Sequence, residues 1–531
     1  MPHVVTQACC ADASCAFACP VNAIHPTPDE PDFATAEMVY IDPDSCVDCG
    51  ACVGACPVRA IKPDHRLGEH ELPFVEINAM FHRDRPAPPI QAPVTPVVAR
   101  RDTTPVRVVV VGAGPAGLYA ADELLKRPGV AVTVIDRLPT PYGLVRAGVA
   151  PDHPETRAID RLFRQIEDQD GFSYCLGVQV GADVTHAELA DRFDGVLYAT
   201  GAPHDRRLEI AGEQLSGSAT DFVAWYNGHP DRAADTYDLT HERAVVVGNG
   251  NVALDVARIL ASDPERLAYT DVADHALAAL RDSAVREVVV IGRRGRDQAA
   301  FTEPELVGLM GRDDLEIAVD GDVVSPGTGT RRIDLRFLRA PVEVLGDDRV
   351  RGIRVARTEL SDDGALARVT DDVETIEAGL VLRSIGYRGR PIADLPFDEV
   401  RAVVPSDRGR VHGLRGTYVA GWIKRGPTGF IGTNKSDAAE TVDRLFEDLN
   451  TGRLPTPTRD QGLDDLLRAR GIDPVDLAGW RRINHRERRD GLATGRPRVR
   501  LTDPTRMRAV AAVSAPVRRR DRRSRRVAWG A

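Results

Sequence analysis

Three patterns in the 531 residues predict an α/β protein, with two doubly wound domains behind a small, cysteine-rich α+β domain. A β-branched run, residues 108–111, enters Gly112-Ala113-Gly114-Pro115-Ala116-Gly117 and leaves it in a helical pattern through Leu118, Ala121, Leu124 and Leu125. A second loop of this kind, Gly248-Asn249-Gly250-Asn251-Val252-Ala253, follows residues 243–247. Eight of the nine cysteines lie in the first 56 residues. The two loops mark Rossmann-like dinucleotide-binding domains. The cysteine spacing is that of a metal cluster rather than of disulfides. The length suits roughly three domains.

Taken in order, residues 1–82 form the cysteine-rich unit. Cys46-x2-Cys49-x2-Cys52-x3-Cys56-Pro57 is the spacing of bacterial iron–sulfur proteins, in which three thiolates wrap one cubane and the fourth serves the other cluster. An internal repeat supports it: Cys15-Ala-Phe-Ala-Cys19-Pro20 matches Cys52-Val-Gly-Ala-Cys56-Pro57. Extended backward, the repeat reads Cys9-x2-Asp12-x2-Cys15, so Asp12 stands where the second copy has Cys49. Crossed ligation assigns Cys46, Cys49, Cys52 and Cys19 to one [4Fe–4S] cluster, and Cys9, Cys15 and Cys56 to the other. The fourth ligand there is Asp12, a harder donor than a thiolate, or none, with Cys10 as a rival. The second cluster is therefore a labile [4Fe–4S] or a [3Fe–4S].

Residues 83–104 hold Pro86, Pro88, Pro89, Pro93 and Pro96 and read as an extended, semi-rigid linker. Residues 105–205 are the first part of one nucleotide domain. Gly112 makes its tight turn, Gly114 lets backbone approach a pyrophosphate, and Gly117 lets helix and strand pack closely. The next strand ends at Asp136, an acid suited to a ribose hydroxyl and hostile to a 2′-phosphate, so this site favours FAD or NAD. Residues 206–370 form the second nucleotide domain. Its strand 288–291 ends at Arg293 and Arg294, two guanidinium forks suited to the 2′-phosphate of NADP. Residues 371–500 are expected to return to the first domain through Leu380-Val-Leu-Arg, a last strand 417–421, the loop Gly426 to Gly432, and C-terminal helices around Leu463, Leu466, Leu467 and Trp480. The helix after that loop can stabilise negative charge on a reduced flavin. Residues 501–531, with seven arginines and one acid in 518–526, read as a basic disordered tail rather than a nucleic-acid site.

No run of about 18 apolar residues is present, and residues 1–7 lack the makings of a signal peptide, so a cytoplasmic protein is expected. The net charge of −10 is uneven: residues 1–82 carry twelve acids against three Lys or Arg. That acidic unit is expected to dock on basic surface at Arg157, Arg161, Arg164, Lys424 and Arg425.

The run Tyr142-Gly-Leu144-Val-Arg-Ala-Gly-Val-Ala-Pro-Asp152-His153-Pro154, the loop through Asp255, and Gly421-Trp422-Ile-Lys-Arg-Gly-Pro-Thr-Gly429 resemble adrenodoxin reductase-like ferredoxin–NADP reductases over residues 105–500. Residues 4–82 resemble the two-cluster bacterial ferredoxins, with 71–78 similar to the C-terminal extension of the seven-iron type. Together they resemble the actinobacterial ferredoxin/ferredoxin–NADP reductases. The resemblance implies FAD contacts at Ala116, Asp136, Leu144, Val180, Trp422, Gly429, Phe430 and Ile431. It implies NADP contacts at Asn251, Arg293, Arg294, Glu305 and Gly429, with His153 as the active-site histidine. Where relatives often carry a glutamate, this chain has Gly308. The expected activity is hydride transfer from NADPH to FAD, which passes electrons singly to the clusters and on to an external one-electron acceptor, a ferredoxin or a cytochrome P450 system. The alternatives are an electron-input subunit similar to the glutamate synthase small subunit, and a redox-sensing iron–sulfur flavoprotein.

Overall fold

The computed structural model describes residues 2–83, 85, 97–361, 367–459 and 462–513. The N-terminal unit is two copies of one pattern. In each, a residue in left-handed backbone (Ala13, φ 57°; Gly50, φ 72°) leads into a five-residue helix, Ser14–Ala18 or Ala51–Ala55, with a cluster cysteine at its heart. Strand His3–Val5 pairs antiparallel with Ile61–Pro63, and Ile24–His25 with Tyr40–Ile41, so each ribbon joins distant parts of the unit. The extension read at 71–78 is a helix, Pro73–Arg83, that crosses both ribbons. Its buried Asn78 accepts the N–H groups of Val5 (3.2 Å) and Ile41 (2.9 Å) and donates to the Val5 carbonyl (2.9 Å). One carboxamide thus ties the two ribbons together.

The first nucleotide domain is built on a parallel sheet. Val106–Val111 lies at its centre, flanked by Val130–Asp136 on one side and Gly195–Tyr198 on the other. Phe172–Leu176 and Thr417–Val419 extend it in parallel, and Arg410–Val411 with Ser406–Asp407 closes one edge as a hairpin. The β-branched runs fit this setting because both faces are covered by helices. The crevice where strand order reverses, beside the end of Val106–Val111, is the ligand position of such sheets.

The second domain repeats the plan around Arg243–Val247, with Glu287–Ile291 on one side and Leu380–Arg383 on the other. An antiparallel meander, Arg339–Gly346, Val350–Leu360 and Ala367–Glu377, packs through Val344, Ile353, Val355 and Ile376 on the outer face of that sheet. This corrects the boundary expected at residue 370. Leu380–Arg383 belongs to the second sheet, because its alternating apolar face (Leu380, Leu382) fills the core against Ala244 and Val246. The crossing back follows it, where Tyr387–Arg388 pairs antiparallel with the outgoing His204–Asp205.

The ferredoxin-like unit is seated on the reductase body. One apolar core runs from Val4, Cys15 and Ile61 through Tyr119, Tyr142 and Trp480. The later part of the expected linker, from residue 97, lies along the body, where the Val98 N–H donates to Asp443 (3.2 Å) and that of Arg101 to Asn450 (3.0 Å). The proline cluster at 86–96 lies outside the described residues.

The tail expected from residue 501 is corrected in its first part. Pro504–Ala512 is a helix with an Asp503 cap, Met507 and Ala511 are buried, and it packs on Leu477–Leu492. Two buried apolar positions a helical turn apart suffice when a ready surface receives them. The arginine-rich run 518–526 lies outside the described residues.

The helix Leu477–Leu492 is itself anchored by Glu487, which is fully buried. It accepts from Arg146 (3.0 Å), Arg498 (3.2 Å) and the Leu501 N–H (2.9 Å). Burial opposes its charge, but Arg146 and Arg498 outweigh burial and hold the carboxyl at about 2. A group at about 2 when folded and near 4.5 when unfolded stabilises the fold above pH 4.5 and loses that contribution as pH falls toward 2. Glu487→Gln should therefore cost about 3 kcal/mol at neutral pH and progressively less in acid. Thermal unfolding of both proteins at pH 7 and about pH 3 checks this, and an equal deficit at both would contradict it.

Candidate functional site

The first glycine loop has the shape its spacing predicts. Gly112 is in left-handed backbone (φ 111°) against the Ala199 carbonyl, and a side chain at Gly117 would run into the Gly112 carbonyl. Asp136, at the strand end, accepts from the Ala113 N–H (2.8 Å) and the Leu138 N–H (2.9 Å), and burial pushes its carboxyl up. It braces the loop on which a ribose would rest. Ala116 is buried against Gly421, while Leu144 is part-exposed on the short helix Gly143–Ala147. Val180 forms an isolated bridge with Val184. Trp422 packs on Tyr387 (5.1 Å between ring centres), and its indole N–H donates to the Thr428 carbonyl (3.1 Å). Gly429, Phe430 and Ile431 then lead into the helix Thr433–Asn450.

The second loop repeats this geometry, with Gly248 at φ 111° against the Ser384 carbonyl. Asn251 opens its helix and is committed to Thr302, accepting the Thr302 N–H (2.7 Å) and donating to its hydroxyl (3.2 Å). It thereby fixes the start of the helix Glu303–Met310. Arg293 is exposed and Arg294 half-buried at the end of strand Glu287–Ile291, and neither guanidinium pairs with a described acid.

Between the two domains lies a charge cluster that the sequence motifs only partly announced. Arg258, 3% exposed, donates from Nε to Asp152 (2.7 Å), from Nη1 to Glu305 (2.9 Å) and from Nη2 to Asp255 (2.5 Å). His153 Nε2 lies 3.9 Å from Glu305 and 4.0 Å from Asp255. His153, Asp255 and Glu305 could ring a metal ion, but Arg258 already supplies the cation. Burial and then Arg258 lower the His153 pKa, which favours the neutral ring. Burial alone would raise Asp152, yet Arg258 draws its carboxyl far below the usual range. Sequence reasoning found His153 and Glu305 but missed Arg258, for which no local pattern exists.

The N-terminal cysteines lie in two neighbourhoods. Cys19, Cys46, Cys49 and Cys52 line one cavity with His3, Ile24 and Ile41. Cys9, Cys15, Cys56 and Asp12 lie within electrostatic reach of one another. Equivalent cysteines of the repeat accept equivalent backbone N–H groups, Ala23 to Cys19 and Ala60 to Cys56, each at 3.3 Å. Both sets suit thiolate-held clusters, and the crossing of Cys19 and Cys56 between them follows from the two-fold repeat. Cys10 is buried beside Cys9, Cys56 and Asp12.

Asp12 has partners in the reductase body. One carboxylate oxygen accepts the Ser14 N–H (3.1 Å), and the other meets the Tyr119 hydroxyl (3.3 Å) and Lys435 Nζ (3.4 Å) of the reductase body. Of the five basic residues expected at the docking surface, four are paired with acids of the reductase body, and Arg161 is exposed with no ion pair among the described residues. Arg157 pairs with Asp271, Arg164 with Asp160, and Lys424 and Arg425 with Asp437. These cations are already neutralised at home. Among the described residues the one ion pair across the seat is Lys435 with Asp12. Close backbone approach replaces charge: the Gly432 N–H donates to the Cys10 carbonyl (2.7 Å), and a Cβ at 432 would overlap the backbone of Ala11 and Asp12.

Comparison with known proteins agrees with this layout. Residues 106–298 match the pyridine nucleotide-disulphide oxidoreductase family, and residues 39–62 match the 4Fe-4S binding domain. The chain is 52% identical to a probable ferredoxin/ferredoxin–NADP reductase of Mycobacterium tuberculosis, over 98% of this chain and 97% of that protein. It is 40% identical to the human mitochondrial NADPH:adrenodoxin oxidoreductase, over 77% of this chain and 92% of the other. The solved structure of Mycobacterium tuberculosis FprA in complex with NADPH aligns with a TM-score of 0.73 at 42% identity, covering 77% of this chain and 99% of that one.

Gly432→Ala tests the seat. Its added carbon meets backbone, which cannot swing aside as a side chain can. The variant should keep its flavin-domain fold but lift the N-terminal unit, giving a larger radius of gyration in small-angle X-ray scattering. An unchanged radius would show that the contact is not needed for docking.

Proposed function

The chain belongs to the family of ferredoxin/ferredoxin–NADP reductases, and we propose that electrons cross it in one direction, from NADPH through FAD to the Cys9, Cys15, Cys56 set and out through the Cys19, Cys46, Cys49, Cys52 set. It is an oxidoreductase with an FAD- and NADP-binding fold and a 4Fe-4S binding domain. When bound, FAD takes a hydride from NADPH and releases its electrons singly to iron–sulfur clusters. The observation that carries the order is the Gly432-to-Cys10 contact, because it joins the loop next to Phe430 and Ile431 to the loop of the first cysteine set. Cys49 of the other set is exposed, with Val47 and Val53 beside it, a surface fit for an external one-electron acceptor.

Each part of the chain has a task in this reading. The helix N-termini after Gly112-x-Gly114 and Gly248-x-Gly250 offer free N–H groups to the two pyrophosphates. Asp136 accepts a ribose hydroxyl of FAD, with Ala116, Leu144, Val180, Trp422 and residues 429–431 closing around it. Arg293 and Arg294 hold the 2′-phosphate, which NADH lacks. His153, beside Glu305 and Asp255, orients the nicotinamide end at the seam. The start of helix Thr433–Asn450 stabilises negative charge on the flavin. Asp12, engaged by Tyr119 and Lys435, leaves the first set with three thiolates, which supports a [3Fe–4S] cluster there and a [4Fe–4S] in the Cys49 set. A reducing, cytoplasmic setting fits cysteines spaced for metal clusters rather than for disulfides, and no described helix is long and apolar enough to cross a membrane.

An anaerobic titration with NADPH and with NADH, followed by flavin absorbance and low-temperature EPR, tests the reading. NADPH should bleach the flavin and reduce the clusters far more readily than NADH, and the oxidised protein should already show a [3Fe–4S] signal. Arg293→Ala or Arg294→Ala should weaken NADPH binding about ten- to a hundredfold and leave NADH unchanged, the worth of a charge-assisted bond to phosphate. Cys49→Ala should abolish the [4Fe–4S] signal and turnover with an external acceptor while the first cluster is still reduced. Reduction of the acceptor at the normal rate would reverse the proposed order.

A further inference from the structure

The helix Glu303–Met310 carries Glu305 and is touched by the ferredoxin unit along its length. At its start the Thr302 hydroxyl is engaged by Asn251, and Glu37 accepts the Glu303 N–H instead (3.1 Å). At its end His70 packs against Gly311. In between, the Gln7 carboxamide lies over Gly308, and any Cβ at 308 would overlap it. Gln7 Nε2 donates to Glu305 Oε2 (3.2 Å), while Oε1 of the same carboxylate accepts from Arg258 and faces His153. A residue of the N-terminal unit, nearly 300 positions away in sequence, therefore holds one oxygen of the carboxylate at the domain seam.

The chemistry suits a neutral donor. Asp152, Asp255 and Glu305 place three carboxylates around Arg258, with Arg312 3.6 Å from Asp152 as the next cation. A carboxamide N–H fixes the rotamer of Glu305 without adding charge, and its loss would leave a buried carboxylate oxygen unpaired. The missing side chain at Gly308 makes room for it.

We propose that Gln7 is a positioning residue for NADPH oxidation, so that the docked ferredoxin unit completes the NADPH site of its own reductase. The proposal rests on the reading above, in which Glu305 and His153 meet the nicotinamide end of NADPH. It implies coupling in both directions: a seated ferredoxin tightens NADPH binding, and bound NADP(H) tightens the seat by the same factor.

Stopped-flow reduction of the flavin by NADPH, under anaerobic conditions on the full chain, tests it across a range of pH. Gln7→Ala should weaken the apparent NADPH affinity about tenfold at every pH, the worth of a hydrogen bond to a charged group. Gln7→Met carries the distinguishing signature: it keeps the bulk over Gly308 but cannot donate to Glu305, so it should weaken NADPH affinity as Gln7→Ala does while the limiting rate of flavin reduction at saturating NADPH stays at the wild-type value. Gly308→Ala should reproduce Gln7→Ala from the reductase side, because the added methyl displaces only the far end of a flexible side chain. It leaves the ferredoxin sequence intact, so loss of clusters in a Gln7 variant, monitored by EPR, does not stall the test. Unchanged NADPH dependence in all three variants, with wild type still reducing its flavin, would overturn the proposal alone. A wild-type flavin that NADPH does not bleach would overturn the underlying reading and the proposal with it.

Discussion

Arg258 is the point at which the parts of the molecule meet. Its guanidinium binds Asp152 from the flavin-side segment, Asp255 from its own helix and Glu305 from the helix beyond, and Glu305 in turn receives Gln7 from the N-terminal unit. A buried cation with three carboxylates is not a large net source of stability, since desolvation consumes most of the Coulombic gain. Its value is geometric. Removing any partner strands charge in a dry seam, so the arrangement admits few alternatives. Burial first, and then the same guanidinium, push the His153 pKa down.

The seating of the N-terminal unit follows a different logic from that of free electron-transfer partners. Separate proteins use opposite charge to speed encounter and accept a loose, salt-sensitive contact. A unit carried on the same chain is already at high effective concentration. Here the contact is close backbone approach at Gly432, a carboxamide over Gly308, and a shared apolar core from Val4 to Tyr119. Asp12 illustrates the change. In the repeat it stands where a thiolate would ligate iron, yet its carboxylate spans to Tyr119 and Lys435 and serves the interface.

Much of the layout was legible in the residues because its signals are local. The glycine loops at 112–117 and 248–253, the β-branched strands before them, and the cysteine repeat each occupy one short stretch, and each has one structural solution. The strand Leu380–Arg383 belongs to the other sheet than expected because three apolar residues suit either sheet equally, and only packing against Ala244 and Val246 decides between them. The helix Pro504–Ala512 was missed because its apolar positions are sparse, and it is ordered by the surface it meets.

The sequence by itself determined the two nucleotide loops, the β-branched strands that enter them, and the repeated cysteine spacing. All of these depend on residue type at fixed short spacing. Only the tertiary structure decided that Asp12 faces the reductase, that Arg258 gathers three carboxylates, and that Gln7 reaches Glu305. Those contacts join residues up to about 420 positions apart. No periodicity or spacing encodes such a pair, because each partner's local sequence is satisfied equally well by solvent.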